Sequence, residues 1–265
     1  MNKRKRHRPN RNSTPAQPSK KTANGTWIYG RHACLAALKN PARRINRFLV
    51  TANTDSEIDL KAENVTAEPE IVNRQTIESL LPDECVHQGI AVFVSPLPHL
   101  DLHDAVSALD DGARAVFLAL DQANDPRNIG AILRTAAAFG VTGIIVPDRG
   151  TPEESGTLAK AAVGALETLP QFRVTNLVRT LEEMKEHGFW CVGLDGYAKL
   201  DVSEIDFTGR IIVVLGAEGK GLRRLTRETC DHLGKIPISS AMESLNLSNA
   251  AAITLYEISR QLQQK

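Results

Sequence analysis

Residues 236–261 read IPISSAMESLNLSNAAAITLYEISRQ, in which an apolar segment leads through polar residues into a long helical pattern. Ile236–Ile238 predicts a short interior strand, and the apolar period after the polar residues predicts a helix. Ser and Asn cap helices by accepting bonds from the free N–H groups of the first turn, and one such residue is enough. Here six of them crowd into eleven positions: Ser239, Ser240, Ser244, Asn246, Ser248 and Asn249. The surplus predicts a site that binds a ligand.

From Arg114 onward, apolar strand patterns alternate with helical patterns. The predicted strands are RAVFLALD, GIIVP, QFRV, FWCVGLD, RIIVVLGA and GKIPI, and the predicted helices are NIGAILRTAAAF, Glu153–Gly164, NLVRTLEEMKEHG, LRRLTRETC and the final helix. Near-continuous apolar strands between such helices predict an α/β fold with a parallel sheet covered on both faces. Ligands bind these sheets outside the carboxyl ends of the strands. The polar segments after RAVFLALD, RIIVVLG and GKIPI are therefore predicted to form one pocket.

A smaller α/β domain is predicted over residues 27–95. Its predicted helices are Gly30–Lys39, Ser56–Glu63 and Gln75–Leu81, and its predicted strands are Ile45–Thr51, Glu70–Asn73 and Gly89–Ser95. Residues 96–112, which include two prolines, are predicted to link it to a second domain over residues 113–265. Residues 1–26 remain as a basic arm.

The basic arm reflects a strong charge asymmetry. Residues 1–54 hold thirteen Lys or Arg and no acid, whereas residues 55–112 hold thirteen acids and two bases. Without aromatic or aliphatic anchors the arm is predicted to be disordered. Such segments follow phosphates and release counterions, which favours a partner that carries phosphates. The alternatives are a solubilising tail and an organellar transit peptide.

Length and composition exclude several classes of protein. The 265 residues are 42% hydrophobic, enough for one or two domains with sizeable cores. No apolar run approaches the ~20 residues of a membrane span, and the polar N-terminus is unlike a signal peptide, so a cytoplasmic protein is expected. Cys34, Cys85, Cys191 and Cys230 are too scattered to indicate a disulfide framework or a zinc site, which predicts reduced thiols.

The segment LGAEGKGL contains glycines but no common nucleotide fingerprint. It lacks the G-x-x-x-x-G-K-[ST] spacing, and no G-x-G-x-x-G follows the first strand of the second domain, which disfavours P-loop and dinucleotide folds. Gly216, Gly219 and Gly221 permit positive φ and close approach of the backbone to a ligand. The alternative is a glycine-rich turn that binds nothing.

Three polar side chains near the strand ends are candidates for the site. Asn128 either caps its helix or faces the ligand. Arg134 is either a surface cation or, since its helix is otherwise Ile, Leu and Ala, a buried guanidinium that requires a carboxylate or phosphate. Glu218 could supply that carboxylate, or it is a solvated loop acid or helix-dipole partner. Gly130 is expected to let another segment pack against the first turn of the Asn128 helix.

The segments NDPRNIGAILRTAAAFGV, IIVVLGAEGKGL and IPISSAMESLNLSNAAAITLYE resemble, in order and spacing, the three motifs of the SpoU (TrmH) class of SPOUT methyltransferases. This resemblance covers about Ala113 to Arg260. Residues 27–95, with WIYGRHACLAAL and VHQGIAV, resemble the L30e-like substrate-binding domain that many 23S rRNA ribose methyltransferases of this class carry.

The resemblance implies a parallel sheet whose C-terminal segment forms a deep trefoil knot, against the general rule that chains avoid knots. It also implies a homodimer that uses S-adenosylmethionine and no metal to methylate a ribose 2′-hydroxyl of RNA, with rRNA as the expected substrate. The cofactor is expected to contact Leu215, Gly216, Ile236, Ile238, Leu245 and Asn246. The polar set at the methyl-transfer site is expected to be Asn128, Arg134, Glu218, Ser244 and Asn246.

Arg134 is expected to activate the hydroxyl. Because a guanidinium with a pKa above ~12 is a poor base, it should lower the pKa of the hydroxyl or position a phosphate that takes the proton. The chain departs from the family pattern at Met242, where Val is frequent, and at Asn249, where a small residue is usual. The alternative functions are methylation of a tRNA ribose, a non-catalytic rRNA-binding assembly protein and, disfavoured by the missing fingerprint, a nicotinamide-dependent oxidoreductase.

Overall fold

The computed structural model describes residues 25–59, 63 and 65–263, so the predicted arm lies almost entirely outside the described residues. The strands are β1 (Thr26–Tyr29), β2 (Ile45–Val50), β3 (Glu70–Ile71), β4 (Ile90–Val94), β5 (Ala115–Leu120), β6 (Gly143–Pro147), β7 (Gln171–Val174), β8 (Phe189–Leu194), β9 (Leu200–Asp201), β10 (Arg210–Leu215) and β11 (His232–Lys235). The helices are α1 (Arg31–Lys39), α2 (Ala52–Glu57), α3 (Arg74–Glu78), α4 (Leu102–Ser107), α5 (Pro126–Ala138), α6 (Gly156–Ala162), α7 (Ala165–Thr168), α8 (Leu177–Glu186), α9 (Arg224–Thr229) and α10 (Leu247–Gln263).

The first sheet has four strands in the order β1-β4-β2-β3. β4 pairs antiparallel with β1 and β2, and β2 pairs parallel with β3. β1 was not predicted, because its four residues are too few for a clear alternating pattern. The predicted helix Ser56–Glu63 is interrupted at Ile58, and its residues 60–62 lie outside the described residues. α2 ends at Glu57 because Ile58, which is extended and buried, turns the chain into the core.

The second sheet has seven strands in the order β7-β6-β5-β10-β8-β11-β9, and all the pairings between them are parallel. Alternate residues of a strand face opposite sides. Leu118 and Leu120 lie in a core with α5, α6 and α10, whereas Phe117 and Ala119 lie in a core with α4 and α8. Helices thus cover both faces, and the predicted α/β fold with a parallel sheet is confirmed.

Residues Ile236–Ile238, which were predicted to form a strand, do not form one. β11 ends at Lys235, and the next residues are irregular. Pro237 has no N–H group with which to continue a ladder, which accounts for the end of the strand. The edge strand β9 was not predicted, because it has only two residues.

The predicted helix Glu153–Gly164 is two helices. α6 ends where Val163 and Gly164 have φ angles of 51° and 97°. Left-handed residues end an α-helix, so α7 begins as a separate element.

The strand order places three chain segments at one edge of the second sheet. β10 lies between β5 and β8, so the carboxyl ends of β5 and β10 are adjacent. α10, which follows β11, packs against α5, which follows β5.

Within the described ranges, none of the helices has the length and hydropathy that a membrane crossing requires.

Candidate active site

A hydrogen-bonded triad joins the three segments at the carboxyl edge of the second sheet. Asn128 Nδ2 donates to Glu218 Oε2 at 3.1 Å, and Asn246 Nδ2 donates to Asn128 Oδ1 at 3.0 Å. Asn246 Nδ2 also lies 3.5 Å from Glu218 Oε1. Asn128 and Asn246 are half-buried, and Glu218 is exposed. The triad therefore borders solvent, where a substrate can reach it.

Asn246 has a second role at the N-terminus of α10. Its Oδ1 accepts bonds from the N–H of Ser248 at 2.9 Å, from Ser248 Oγ at 2.6 Å and from the N–H of Asn249 at 3.4 Å. Its Oδ1 thus caps the helix, while its Nδ2 binds the other two residues of the triad. The first turn of α10 consequently fixes the orientation of the amide in the site.

The loop after β10 is a closed turn whose base has no room for a side chain. Ala217 and Gly221 exchange two backbone hydrogen bonds, with N···O distances of 3.0 and 2.9 Å. A Cβ on Gly216 would lie 2.0 Å from the carbonyl carbon of Gly221. Gly219 and Gly221 have φ of 76° and 67°, whereas Gly216 requires glycine because of this close approach. The turn places Glu218 within hydrogen-bonding distance of Asn128 and Asn246.

An ion pair that was not predicted ties this loop to the end of β5. Asp121, whose side chain is fully buried, accepts bonds through Oδ1 from Arg223 Nε at 2.7 Å and through Oδ2 from the N–H of Arg223 at 3.1 Å. The N–H of Asp121 in turn donates to the Leu215 carbonyl at 2.7 Å. The only sequence signal was an acid directly after one strand and an arginine seven residues after Gly216. The pair holds the loop that carries Glu218 against the segment that leads to Asn128.

Helix α5 carries Asn128 in its first turn without being capped by it. The N-cap is Asp125, whose Oδ1 accepts a bond from the N–H of Arg127 at 2.8 Å. The capping interpretation of Asn128 is therefore wrong. A Cβ on Gly130 would lie 2.5 Å from the Leu158 carbonyl oxygen, so α6 packs directly against this turn, as expected for Gly130.

Arg134 is exposed on α5, so of its two interpretations the surface cation is confirmed and the buried guanidinium paired with Glu218 is wrong. The buried residues Ile132 and Ala136 lie two positions to either side, about 200° around the helix, so Arg134 points away from the core. Glu218 binds Asn128 and Asn246 instead. In the part of the chain that the structure describes, Arg134 makes no hydrogen bond or ion pair. Its guanidinium is available to a substrate.

The side chains expected to contact the cofactor lie at the end of β10 and in the segment between β11 and α10. Leu215 and Gly216 are buried, Ile236 and Leu245 are half-buried, and Ile238 is 40% exposed. Ser244, Met242 and Asn249 are exposed, and among the described residues Ser244 makes no hydrogen bond.

The backbone beside these side chains is largely free. Between Pro237 and Leu245 the described chain makes one backbone hydrogen bond, from the N–H of Met242 to the carbonyl of Ser239. Apolar side chains next to free N–H and C=O groups suit a nucleoside, which has apolar ring faces and polar ring edges. The residues present therefore fit an adenosine-containing cofactor.

Three of the four thiols do not offer a nucleophile. All four cysteines are free, and burial raises the pKa of Cys191 and of Cys230 to about 12. Burial raises the pKa of Cys34 as well. Because the thiolate is the reactive form, these thiols are inert at neutral pH.

Two parts of the chain match known protein families. Residues 115–256 match the SpoU rRNA Methylase family, and residues 27–100 match a family described as RNA 2′-O ribose methyltransferase substrate binding. The first match contains the triad and the loop after β10, and the second contains the four-stranded sheet.

Individual relatives cover nearly the whole chain. It is 41% identical over 241 residues to the 23S rRNA (guanosine-2′-O-)-methyltransferase RlmB of Vibrio vulnificus, with 89% of this chain and 96% of that protein covered. It is 41% identical over 239 residues to the RlmB of Haemophilus ducreyi, with 88% and 97% covered. A similar solved structure is the SpoU methyltransferase AviRb from Streptomyces viridochromogenes in complex with AdoMet, with 25% identity, a TM-score of 0.75 and 91% of each chain covered.

Proposed function

The chain belongs to the SpoU rRNA methylase family, and we propose that it transfers the methyl group of S-adenosylmethionine to a ribose 2′-hydroxyl of 23S rRNA. Relatives with 41% identity are named as enzymes that act on a guanosine of that RNA, and AviRb has been solved with the cofactor. The observation that carries the proposal is the triad of Asn128, Glu218 and Asn246, because it unites three segments that are distant in sequence.

The cofactor site is assigned to the edge formed by β10 and the segment before α10. Leu215 and Gly216 form its floor, and Ile236, Ile238 and Leu245 offer apolar contacts beside free backbone groups. When bound, S-adenosylmethionine supplies an electrophilic methyl group. The missing Cβ of Gly216 lets the turn 217–221 fold back onto β10, which gives the site its shape.

The triad is proposed to orient the reacting ribose. Glu218 and the two asparagine amides form a hydrogen-bonded polar surface. A ribose hydroxyl of the substrate can bond to this surface. Positioning of reactants can supply ~7–11 kcal/mol of the barrier reduction. Because a DNA nucleotide has no 2′-hydroxyl, this surface also favours RNA over DNA as the substrate. Ser244, exposed on the same segment, is proposed to contact the substrate.

Arg134 is proposed to act on the proton of the hydroxyl. Transfer of the methyl group to the hydroxyl oxygen would break the bond between carbon and the sulfonium sulfur, leave a neutral thioether, and require the hydroxyl proton to leave. A guanidinium cannot accept that proton, but it can bind an RNA phosphate through its planar fork and hold the phosphate where it takes the proton. The exposure of Arg134, without a protein partner among the described residues, supports this role.

The finer organisation is proposed from the family. Residues 27–95 form an L30e-like domain that binds the RNA, and residues 96–112 link it to the methyltransferase domain, residues 113–265. The segment from β10 to α10 forms the trefoil knot, no metal takes part in the reaction, and the enzyme acts in the cytoplasm. The parallel sheet with β10 inserted between β5 and β8 is compatible with a knot.

The substrate is tested by methyl transfer in vitro from labelled S-adenosylmethionine. We expect incorporation into deproteinised 23S rRNA or a ribosomal precursor that contains it, and none into bulk tRNA. Incorporation into tRNA alone would overturn the rRNA assignment. Cofactor binding without transfer to either RNA or to the precursor would instead indicate a non-catalytic assembly protein.

A homodimer is expected. Of the apolar residues of α10, Ala251, Leu255 and Ile258 are buried within the chain, whereas Ile253 is 41% and Tyr256 is 60% exposed. Phe139 of the neighbouring segment, 37% exposed, lies against Tyr256 with the ring centroids 6.5 Å apart. An exposed apolar face of this kind favours a symmetric partner. Analytical ultracentrifugation at micromolar concentration should give a dimer, and an active monomer would contradict the proposal.

Deletion of residues 1–24 is expected to weaken RNA binding without affecting cofactor binding. The segment carries eight Lys or Arg and no acid, and each phosphate contact adds about 0.7–0.9 to the slope of log K against log salt. The truncated protein should therefore bind 23S rRNA more weakly and with a flatter slope, measured by filter binding. An unchanged slope would make the arm a solubilising tail.

A further inference from the structure

A largely buried ionic cluster, here called the clasp and formed by Arg43, Glu154 and Glu167, joins the first unit, which contains the four-stranded sheet, to the second unit, which contains the seven-stranded sheet. The side chain of Arg43 is 0% exposed and comes from the turn between α1 and β2. Its Nη1 lies 2.6 Å from Glu154 Oε2, its Nη2 lies 2.7 Å from Glu167 Oε1 and its Nε lies 3.0 Å from Glu167 Oε2. Both glutamates belong to the second unit, directly before α6 and within α7. One arginine of the first unit thus binds two carboxylates of the other.

Hydrogen bonds to neighbouring groups complete the clasp. Glu154 Oε1 accepts a bond from the N–H of Leu97 at 3.0 Å, Glu167 Oε2 accepts a bond from Asn40 Nδ2 at 2.9 Å, and Arg43 Nη1 donates to the carbonyl of Ser95 at 2.9 Å. All four carboxylate oxygens therefore have a donor. A buried ion cluster contributes little net stability compared with apolar packing, but it tolerates little displacement of its members.

The clasp lies beside a cavity that separates the two units. A cavity of about 670 Å³ lies between α1 and α7, and its lining includes Arg31, Asn40, Val163 and Glu167. Close packing does not fill this side. The directional bonds of the clasp hold the two units together at the edge of the cavity.

Helix α6 connects this contact with the active site. On one side, a Cβ on Gly156 would lie 2.4 Å from the Tyr29 ring, and the Tyr29 hydroxyl lies 3.2 Å from Thr157 Oγ1. On its other side, α6 packs against Gly130 of α5, two residues after Asn128. The orientation of the first unit is therefore transmitted through α6 to the helix that carries Asn128 and Arg134.

We propose that Arg43 is a positioning residue for the choice of target nucleotide. The clasp fixes the first unit at one orientation to the triad. RNA held by the first unit is thereby placed so that one ribose, at a set distance, reaches Asn128, Glu218 and Asn246. The inference rests on the proposed function, because it assigns RNA binding to the first unit and methyl transfer to the second.

The test compares two RNAs and two variants. The RNAs are full-length 23S rRNA and a short oligonucleotide centred on the mapped target ribose, which is too short to reach both units. Arg43→Met removes the cation from the buried Glu167 and the partly buried Glu154, so its melting temperature is expected to fall. The triple variant Arg43→Met/Glu154→Gln/Glu167→Gln leaves no buried charge unpaired and is expected to melt near the wild-type temperature. In the triple variant, kcat/KM for 23S rRNA should fall by about 10²-fold, the loss expected for a misplacement of about 1 Å, while kcat/KM for the oligonucleotide stays unchanged.

The matched control is Lys185→Met, which breaks a partly buried ion pair of 2.8 Å with Asp231 inside the second unit. It should leave the ratio of kcat/KM for the two RNAs at the wild-type value. A triple variant with the wild-type ratio, or one that loses activity equally on both RNAs, would overturn the inference while leaving the proposed function intact. A wild-type protein that methylates neither RNA would overturn both.

Discussion

Arg134→Ala is expected to abolish methyl transfer without changing the fold. Groups that assist proton removal contribute typically ~10²–10⁴-fold in rate, and a single-turnover assay on 23S rRNA should show a loss of this size. The side chain is exposed and has no protein partner in the described residues, so stability should change by no more than about 0.5 kcal/mol. Affinity for S-adenosylmethionine, measured by calorimetry, should stay close to that of the wild type, because the proposed cofactor site lies on other segments.

Arg134→Lys separates the charge from the geometry. An ammonium keeps the charge but lacks the planar fork that binds a phosphate through two bonds, so this variant should also be severely impaired. Arg179→Ala is the control, since it removes an exposed arginine from α8, where Arg179 pairs with Glu183. Near-normal turnover in Arg134→Lys, or a loss in Arg134→Ala explained by unfolding, would remove Arg134 from the reaction.

Gly216→Ala is expected to weaken cofactor binding strongly. The new Cβ would lie 2.0 Å from the Gly221 carbonyl carbon and 2.3 Å from its oxygen and from Leu222 N. These are backbone atoms that cannot rotate away, so the turn 217–221 must move off β10. Overpacking typically costs about 1–3 kcal/mol, which corresponds to about 5–150-fold in affinity. Calorimetric titration with S-adenosylmethionine measures this loss.

Two other glycines serve as controls for Gly216→Ala. Gly219 lies in the same turn, with φ 76° and no neighbouring atom within 4 Å of the position that a Cβ would take, so Gly219→Ala costs only the ~1–2 kcal/mol of a left-handed alanine. A Cβ on Gly196 also meets nothing within 4 Å, and Gly196→Ala should be neutral. Equal cofactor affinity in Gly216→Ala and Gly196→Ala would refute the role of close approach at the base of the turn.

The sequence predicted those features that depend on local pattern. Near-continuous apolar runs such as RIIVVLG predicted buried parallel strands, because both faces of such strands must be covered. The polar segments after three strands were predicted to come together, and the bonds among Asn128, Glu218 and Asn246 show that they do. The roles of these side chains came from the resemblance and not from the pattern, since an isolated Asn or Glu has many uses.

The sequence could not predict features that depend on three-dimensional neighbours. The apolar neighbours of Arg134 in sequence left open whether it is a surface cation or a buried guanidinium, and its angular position on α5 places it at the surface. Asp121 and Arg223 are 102 positions apart in the sequence, and within the clasp Arg43 and Glu154 are 111 positions apart. Such contacts leave no periodic signal, because the partners are brought together only by the folded sheet and by the packing of the two units.

Mapping of 2′-O-methyl groups in 23S rRNA is the most direct measurement of the proposed activity. A 2′-O-methyl group makes the adjacent phosphodiester bond resistant to alkali, because the blocked hydroxyl cannot attack the phosphate. In cells that lack this protein, one such bond of 23S rRNA should become labile, and the wild-type protein, but not Arg134→Ala, should restore its resistance. An unchanged pattern in 23S rRNA, or a lost methyl group that lies on a base or in tRNA, would contradict the assignment of ribose methylation to the site formed by Asn128, Glu218 and Asn246.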